Sequence, residues 1–373
     1  MNYDAIIIGG GLVGSAIAHG LTRHTRSVLV LDQGDRAFRA TRGNFGLVWV
    51  QSKGDGAPHY VTWTRRSADL WADFSATLKE DSGVDTHHRR TTGIHLLVSE
   101  QEVKDRALLM ERLKRQSGNE GYEYRMLDRA EVKELLPSVG PDVVGASWTP
   151  YDGVANPLYT IRAVHASLAK RGAVYRPAMT VESLSHRAGT FTVKAGGETF
   201  QTPKLVIAAG LGTKALAAKL GMRVPVEPQR GQVLVTERLA PILSDRVTVT
   251  NVRQTVEGSV MIGDSQEDVG FDNRTTVPVL AEMAVRAIQR FPALANAQIV
   301  RTWAALRVMS ADGLPIYVQS QEAPGAFAAT CHSGVTLAAV HSRVLADWIA
   351  GGARPEETLK LVPERFDVPQ AAE

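Results

Sequence analysis

The fold is decided by the stretch Tyr3–Asp32, which reads YDAIIIGGGLVGSAIAHGLTRHTRSVLVLD. It opens on a short apolar run and closes on a second one at Ser27–Leu31, and such runs are typical of buried parallel strands. Between them Val13, Ile17 and Leu21 recur every four residues, which predicts an apolar stripe along a helix. The order of strand, glycine-rich turn, helix and strand predicts an α/β fold built on a parallel sheet.

The glycine-rich turn predicts that this sheet binds a dinucleotide. Gly9, Gly11 and Gly14 have the G-x-G-x-x-G spacing, and Asp32 ends the second strand 18 residues after Gly14. These glycines permit a sharp turn, close approach of a pyrophosphate and close packing of the helix on the sheet. The helix N-terminus attracts phosphates, and the carboxylate can accept hydrogen bonds from ribose hydroxyls. An acid at this position disfavours NADP, but the motif does not distinguish NAD from FAD.

The chain beyond Asp32 favours FAD, because an NAD-binding domain would continue with regular βα units of about 30 residues. Here a glycine-punctuated loop enters an apolar strand over residues 39–51, and the pattern then changes. The elements that follow are predicted as helices at Val61–Leu78 and Glu100–Gln116 and strands at Gly93–Val98 and Leu205–Ala209. The last strand ends in Gly210, where a cofactor can approach the backbone. We therefore expect one βαβ unit, a long insertion and a later return strand.

The amino-acid composition limits which classes of protein are possible. The chain has 373 residues, 44% hydrophobic and 22% charged, which is ordinary for a globular protein of two to three domains. Its single cysteine, Cys331, excludes a disulfide framework and a cysteine-ligated zinc or iron–sulfur site, and no metal is expected. The net charge of +3 is spread without a basic block, which gives no support to nucleic-acid binding.

No apolar run approaches the roughly 20 residues of a membrane-spanning helix. Asp4 precedes the first apolar run, where a signal peptide would carry basic residues. We therefore expect a cytoplasmic protein without direct membrane insertion, with attachment through a partner left open.

Five collinear segments resemble the D-amino-acid-oxidase-like (DAO) family of FAD-dependent oxidoreductases. They read IIIGGGLVG with VLVLD, ATRGNFG, LVIAAG, PQRGQVLVTE with GSVMIGDSQEDVGFD, and RTWAALRVMSADGLPI with CHSGVTLA. The family includes glycine oxidase, the sarcosine oxidase β subunit and the FAD subunits of opine oxidases and hydroxyproline dehydrogenases. The resemblance implies a Rossmann-like FAD-binding domain (residues 1–83, 145–215 and 300–373) interleaved with an α+β substrate domain (84–144 and 216–299) that carries a mostly antiparallel sheet.

The resemblance also implies which residues hold FAD. The segment from Arg39 to Leu47 is expected to wrap the phosphates, and His332–Leu337 is expected to open the final helix against the flavin. The implied cofactor contacts are Gly9, Gly11, Leu12, Val13, Gly14, Asp32, Gln33, Thr41, Arg42, Asn44, Gly46, Leu47, Ala209, Gly210, Gly334, Val335, Thr336 and Leu337. Some relatives attach flavin through a cysteine just after the arginine block. Val308-Met309-Ser310 stand there, so FAD is expected to bind non-covalently.

Arg307 is the expected catalytic residue, because it stands where glycine oxidase-like relatives bind the substrate carboxylate. Its planar guanidinium can grip a carboxylate with two hydrogen bonds. Further substrate contacts are expected from Val48, Asn251, Arg253 and His332, and Arg230 is a candidate for a substrate or a structural role. Strands are expected at Val249–Arg253 and Gly258–Gly263. Met261 replaces the oxygen-activating lysine of sarcosine oxidases, which favours a dehydrogenase.

The implied activity is oxidation of the Cα–N bond of an amino acid or secondary-amine amino acid by hydride transfer to flavin N5, giving an imine that hydrolyses. Relatives of the opine type act with partner subunits, so partners for electron transfer are expected beside the small amino-acid-type substrate. Two alternatives stay open at this point. One is a nicotinamide-dependent dehydrogenase, and the other is an FAD-holding subunit that relays electrons or scaffolds a complex.

Overall fold

A computed structural model describes residues 1–34 and 40–367, so Arg39 lies outside the described residues. Its strands are β1 (Ala5–Ile8), β2 (Val28–Leu31), β3 (Leu47–Val48), β4 (Arg89–Arg90), β5 (Thr92–Leu97), β6 (Arg125–Asp128), β7 (Gly145–Thr149), β8 (Gly153–Val154), β9 (Val174–Arg176), β10 (Val181–Arg187), β11 (Thr190–Ala195), β12 (Glu198–Thr202), β13 (Leu205–Ile207), β14 (Glu227–Arg238), β15 (Val247–Val249), β16 (Val252–Gln254), β17 (Ser259–Ile262), β18 (Ile299–Met309), β19 (Ile316–Gln319) and β20 (Ala326–Thr330).

The α-helices are α1 (Leu12–Leu21), α2 (Pro58–Ser82), α3 (Glu100–Gln116), α4 (Arg129–Leu135), α5 (Pro157–Lys170), α6 (Thr213–Ala218), α7 (Val277–Arg290), α8 (Ala338–Val340) and α9 (Ala346–Ala350). A π-helical segment, His341–Leu345, joins the last two. Short 3₁₀ turns occupy Gly118–Glu120, Gly210–Gly212, Pro292–Asn296, Glu356–Thr358 and Pro363–Phe366.

The predicted parallel sheet forms the base of the molecule. Its strand order is β19-β20-β13-β1-β2-β9, and every neighbouring pair is parallel except β19 with β20. The segments after β1, β2, β13 and β20 all leave from the carboxyl ends of parallel strands, which meet at one edge of a sheet. In open α/β sheets this edge is where ligands bind. The return strand predicted near residue 205 is confirmed, and it pairs directly with β1.

Two four-stranded sheets lie beyond the parallel sheet, and both are mostly antiparallel, as the fold prediction required. One has the order β16-β17-β14-β18 and the other β15-β5-β7-β6. The single strand expected over Val249–Arg253 is wrong. The chain bends at Thr250 and Asn251, so β15 pairs with β5 in one sheet while β16 pairs with β17 in the other.

Strand pairing crosses two of the predicted domain boundaries. β7 lies between β5 and β6, so a boundary at residue 145 separates a strand from its partners. β18 pairs with β14 from Ile299 to Met309, so a boundary at residue 300 cuts through the end of this strand. The division into two domains therefore stays a prediction, with boundaries that the sheets do not follow.

Helix α2 fastens the last part of the chain to the first. Its aromatic side chains Trp63, Trp71 and Phe74 are fully buried. The indole N–H of Trp71 reaches the carbonyl oxygens of Val335 and Thr336, at 3.1 Å each. The turn that follows β20 is thereby fixed beside the parallel sheet.

Candidate active site

The glycine turn packs too closely to carry side chains. Gly9 has φ of +110°, and a Cβ atom there would lie 2.3 Å from the carbonyl oxygen of Ala208. A Cβ atom on Gly14 would lie 2.0 Å from the carbonyl oxygen of Gly9. Glycine at these positions lets α1 begin against the ends of β1 and β13, with its N-terminus open to the sheet edge.

The glycine turn holds the side chain of Asp32, which follows β2, in place. The carboxylate of Asp32 accepts hydrogen bonds from the backbone N–H of Gly10 (2.7 Å) and of Gly34 (2.9 Å). The first helical N–H, that of Leu12, donates to Thr41 Oγ1 at 3.0 Å. The loop after β2 is therefore tied to the start of α1, as a cofactor-wrapping segment requires.

A large cavity of about 690 Å³ opens at this sheet edge. Both ends of the chain contribute to its wall, and Val13 and Gly334 are close enough that a Cβ atom on Gly334 would touch Val13 at 3.5 Å. Residues expected to bind the cofactor that line this cavity are Gly9, Gly11, Leu12, Val13, Asp32, Gln33, Thr41, Asn44, Ala209, Gly210, Gly334 and Val335. The glycine cradle, the strand-end carboxylate and the cavity fit a bound dinucleotide.

The other expected cofactor residues do not line this cavity. Gly46 packs closely against Arg253 and the carbonyl oxygen of Ala155. Gly14 packs behind the turn, Arg42 is exposed and Leu337 is buried in the core. Leu47 and Thr336 line a second, smaller cavity. The final helix begins at Ala338, whereas the sequence predicted a start at His332. Residues 334–337 form turns, and the N–H of Leu337 bonds to the carbonyl of Ser333.

The second cavity measures about 240 Å³ and adjoins the first. Five residues line both cavities, namely Ala40, Asn44, Leu306, His332 and Val335. Arg307 lies in the wall of the small cavity, on β18, and is half-buried. Its Nη1 donates to the carbonyl oxygen of Arg230 at 3.3 Å. Burial lowers the pKa of Arg307, although an arginine stays charged at neutral pH.

A glycine on the neighbouring strand makes room for this guanidinium. A Cβ atom on Gly231 would lie 2.6 Å from Arg307 Cζ, so an alanine would collide with the charged end of the side chain. Asp264 lines the same cavity in the left-handed region, with φ of +89°. Burial raises its pKa, and Arg286 and Arg307 oppose that shift.

Lys53 is the principal functional candidate that the sequence did not indicate. It lines the small cavity, and its Nζ donates to Ser333 Oγ at 2.5 Å. The same oxygen accepts a hydrogen bond from the Tyr60 hydroxyl at 3.0 Å. Burial lowers the pKa of Lys53 to about 8. A lysine in a polar loop carries no sequence signal, because only the fold brings residue 53 against residue 333.

His332 lines both cavities and is kept neutral. Burial, together with the positive charges of Lys53 and Arg307, lowers its pKa to about 3. The same burial raises the pKa of the adjacent Cys331 thiol to about 12, so this cysteine is not a thiolate at neutral pH. His332 therefore lies within electrostatic reach of both cations of the small cavity.

Three of the expected substrate residues do not line either cavity. Val48 is buried in the core. Arg253 Nη1 donates to the carbonyl of Phe45 at 2.6 Å, which fastens the loop before β3 from outside the cavity. Asn251 bonds through its carbonyl to the N–H of Gly263, and the neighbouring Thr250 lines the small cavity in its place.

Arg230 also lies outside the lining of both cavities. Its guanidinium is buried between Glu267, at 2.6 Å, and Asp272, at 3.1 Å. Among residues 1–34 and 40–367, no group of three or more His, Cys, Asp or Glu side chains is arranged to hold a metal ion. No helix within the same ranges has the length and apolarity to cross a membrane.

The parallel sheet, the glycine cradle and the strand-end carboxylate define a dinucleotide-binding α/β protein, and the adjoining cavity provides room for a small molecule. Comparison with known proteins identifies its family. A family model described as DAO, FAD dependent oxidoreductase, matches residues 4–348. An opine oxidase subunit of Agrobacterium tumefaciens is 40% identical over 371 residues, with 99% of each chain covered.

Two further proteins are similar to this chain over nearly its whole length. Hydrogen cyanide synthase subunit HcnC of Pseudomonas aeruginosa is 26% identical, covering 99% of this chain and 98% of its own. The crystal structure of glycine oxidase from Geobacillus kaustophilus superimposes with a TM-score of 0.87 at 23% identity, covering 97% of this chain and 98% of that one. The chain belongs to the DAO family of FAD-dependent oxidoreductases. FAD is therefore its dinucleotide, and the nicotinamide alternative is excluded.

Proposed function

We propose that this protein oxidises the Cα–N bond of an amino acid, or of an amino acid substituted on its nitrogen. The half-buried Arg307 in the small cavity is the observation that supports this most strongly. Its guanidinium can bind a carboxylate through two parallel hydrogen bonds, each contributing on the order of 1.5–3 kcal/mol. Because the two cavities share a wall, an acid bound there lies next to the cofactor cavity.

The large cavity would hold FAD through backbone and carboxylate groups. Gly9, Gly11 and the N-terminus of α1 would receive the phosphates, Asp32 the ribose, and the turn at Gly334 and Val335 the flavin end. We infer non-covalent attachment, since Val308-Met309-Ser310 stand where some family members carry a cysteine. When bound, FAD supplies the two-electron acceptor for the oxidation.

The residues of the small cavity would orient the substrate. Arg307 fixes the carboxylate, which sets the direction of the Cα–H bond and contributes by positioning. His332 is neutral, so it adds no positive charge beside the amine. The substrate loses two electrons and two protons to form an imine. Water then hydrolyses the C=N bond to a carbonyl compound and ammonia, or an amine where the nitrogen is substituted.

We further propose that the chain works with partner subunits. Both the opine oxidase relative and the hydrogen cyanide synthase relative are named as subunits, which supports a multi-subunit enzyme. The same names support a second function, in which this chain holds FAD only to pass electrons between partners.

The proposal is tested by mixing the enzyme with a panel of amino acids in the absence of oxygen. Purified holoenzyme is mixed with D- and L-amino acids and with N-substituted amino acids, and the flavin absorption band is followed in a stopped-flow instrument. Bleaching by at least one class supports amino-acid oxidation. No bleaching by any of them favours the electron-relay function. Reoxidation by oxygen, compared with an artificial acceptor, then distinguishes an oxidase from a dehydrogenase.

A further inference from the structure

The small cavity contains a carboxylate as well as cations, because Asp264 lines it together with Arg307. The two charges influence each other electrostatically, yet no Arg307 nitrogen lies within 4 Å of an Asp264 carboxylate oxygen. The other titratable residues of the cavity wall are Lys53, whose ammonium donates to Ser333, and His332, which is neutral. Opposite charges that face one cavity without touching leave room for a ligand that carries both charges.

The carboxylate of Asp264 has no hydrogen-bond partner among residues 1–34 and 40–367, and only desolvation and charges at a distance act on it. Arg286, on α7, donates to the backbone carbonyl of Asp264 at 3.4 Å and not to its side chain. The nearby acid Glu267 shows the contrast, because Arg230 and Gln232 both donate to its carboxylate. A free acceptor in a cavity wall is available to the N–H groups of a ligand.

The backbone holds Asp264 in a strained conformation at this place. Its φ of +89° lies in the left-handed region, which glycine adopts freely and other residues rarely adopt. Both neighbours are fixed: a Cβ atom on Gly263 would lie 2.9 Å from the ring of Phe45, and Ser265 Oγ accepts from the N–H of Gln232 at 2.7 Å. Strain of this kind concentrates at ligand sites, so an aspartate in a glycine-like position indicates a use for its carboxylate.

We propose that the small cavity binds the substrate as a zwitterion, with Arg307 on the carboxylate and Asp264 on the ammonium, and that Asp264 then accepts the ammonium's proton. In that step one N–H bond breaks, an O–H bond forms on Asp264, and the nitrogen recovers its electron pair. Formation of the C=N bond requires that pair. This inference rests on the proposed amino-acid oxidation and names the residue that prepares the amine for it.

The charges around Asp264 are compatible with a proton acceptor. The surrounding protein limits its contact with water and so raises its pKa. Three arginines oppose this shift, namely Arg286 and Arg290 of α7 and Arg307 of β18. A carboxylate whose pKa is raised toward the working pH accepts a proton more readily than an ordinary aspartate, and it can return that proton to water when the product leaves.

The binding half of the proposal is tested with two ligands that differ only in the ammonium group. 2-Methylalanine carries an ammonium where pivalate carries a methyl group, and neither has a Cα–H bond, so neither is oxidised. Titration of holoenzyme at neutral pH, followed by flavin absorption and by calorimetry, gives a Kd for each ligand. We expect 2-methylalanine to bind about 10- to 100-fold more tightly than pivalate.

Variants assign this preference to Asp264. Asp264→Asn should bind 2-methylalanine about 10- to 100-fold more weakly, yet bind pivalate at least as tightly as wild type, since a negative charge near Arg307 is gone. A role in shaping the cavity would instead weaken both ligands. Asp264→Gly should lose the same preference while its unfolding temperature is at or above that of wild type, because the strain is relieved. Asp268→Asn, in the same loop but outside both cavities, is the control and should keep the wild-type ratio.

The proton-transfer half is tested by the pH dependence of flavin reduction, with an amino acid that bleaches the flavin. At neutral pH Asp264→Asn should be slower than wild type by about 100-fold or more. The difference should shrink as pH rises through the pKa of the substrate's own amine, because the neutral amine then enters from solution. In wild-type protein the preference for 2-methylalanine should fall as pH is lowered through the raised pKa of Asp264, which then loses its charge.

The outcomes separate the levels of the proposal. If Asp264→Asn keeps the preference for 2-methylalanine, or weakens both ligands equally, the assignment of Asp264 is wrong while amino-acid oxidation stands. If the preference is lost but flavin reduction keeps its wild-type pH profile, Asp264 binds the ammonium without accepting its proton, and the second half is overturned. If no amino acid bleaches the flavin, the proposed function itself fails.

Discussion

The two cavities of this molecule are built in different ways. Part of the large cavity is shaped by backbone: glycines that allow close approach, a helix N-terminus and turns at the ends of parallel strands. The small cavity consists of side chains, and its two cations come from a loop and from a distant antiparallel strand. Where backbone packs closely, as at Gly9 and Gly14, there is no room for an added side-chain atom. A cavity lined by side chains can instead change its ligand when those side chains are substituted.

The largest effect is expected from adding one methyl group to the glycine cradle. Gly14→Ala would place a Cβ atom 2.0 Å from the carbonyl oxygen of Gly9, so α1 must move away from the sheet. We expect purified protein with little or no flavin, measured by absorbance and by extraction of the cofactor.

Gly212→Ala is the matched control for the cradle. It adds a methyl group at a glycine that lines the large cavity, where it would meet only the Ala209 side chain at an ordinary 3.7 Å. This variant should retain its flavin. Equal flavin content in the two variants would show that close packing at the turn does not determine cofactor binding.

Arg230→Met should reduce stability without removing substrate recognition. The change removes the buried partner of Glu267 and Asp272, while Gln232 and Arg274 still bond to these carboxylates, so the expected cost is about 1.5–3 kcal/mol. Denaturant unfolding of the holoenzyme measures the loss, and carboxylate affinity should change little. A large loss of affinity with unchanged stability would instead make Arg230 a binding residue.

The smallest of these effects is expected at Gly231. An alanine there would displace the guanidinium of Arg307, so carboxylate affinity should fall about tenfold, equivalent to about 1.4 kcal/mol, while flavin content is kept. Ligand titration of the flavin spectrum measures both quantities. Unchanged affinity would mean that Arg307 binds its ligand from another position.

The sequence reveals most of the large cavity because its parts are local. Gly9, Gly14 and Asp32 lie in one short motif, and β1, α1 and β2 form where the apolar pattern indicates. Arg307 was found by family resemblance, not by periodicity. Lys53 escaped prediction because its environment is set by Ser333 and Tyr60, which only the tertiary fold brings near.

Asn251 and Arg253 lie outside the small cavity for one physical reason. The sequence predicts a continuous strand through both, but the chain changes sheets at Thr250 and Asn251. This change turns Arg253 toward the loop at Phe45 and leaves Thr250 at the cavity. Side-chain direction along a strand depends on register, and a bend of two residues resets it.

The most direct test of the central claim is ligand titration of Arg307→Ala holoenzyme, with Arg301→Ala on the same strand as an exposed control. A carboxylate ligand that perturbs the flavin spectrum of wild-type protein should bind about 10- to 100-fold more weakly to Arg307→Ala. Flavin content should stay full, and the control should match wild type. Wild-type affinity in Arg307→Ala would contradict the account, because the small cavity would then recognise its acid without this guanidinium.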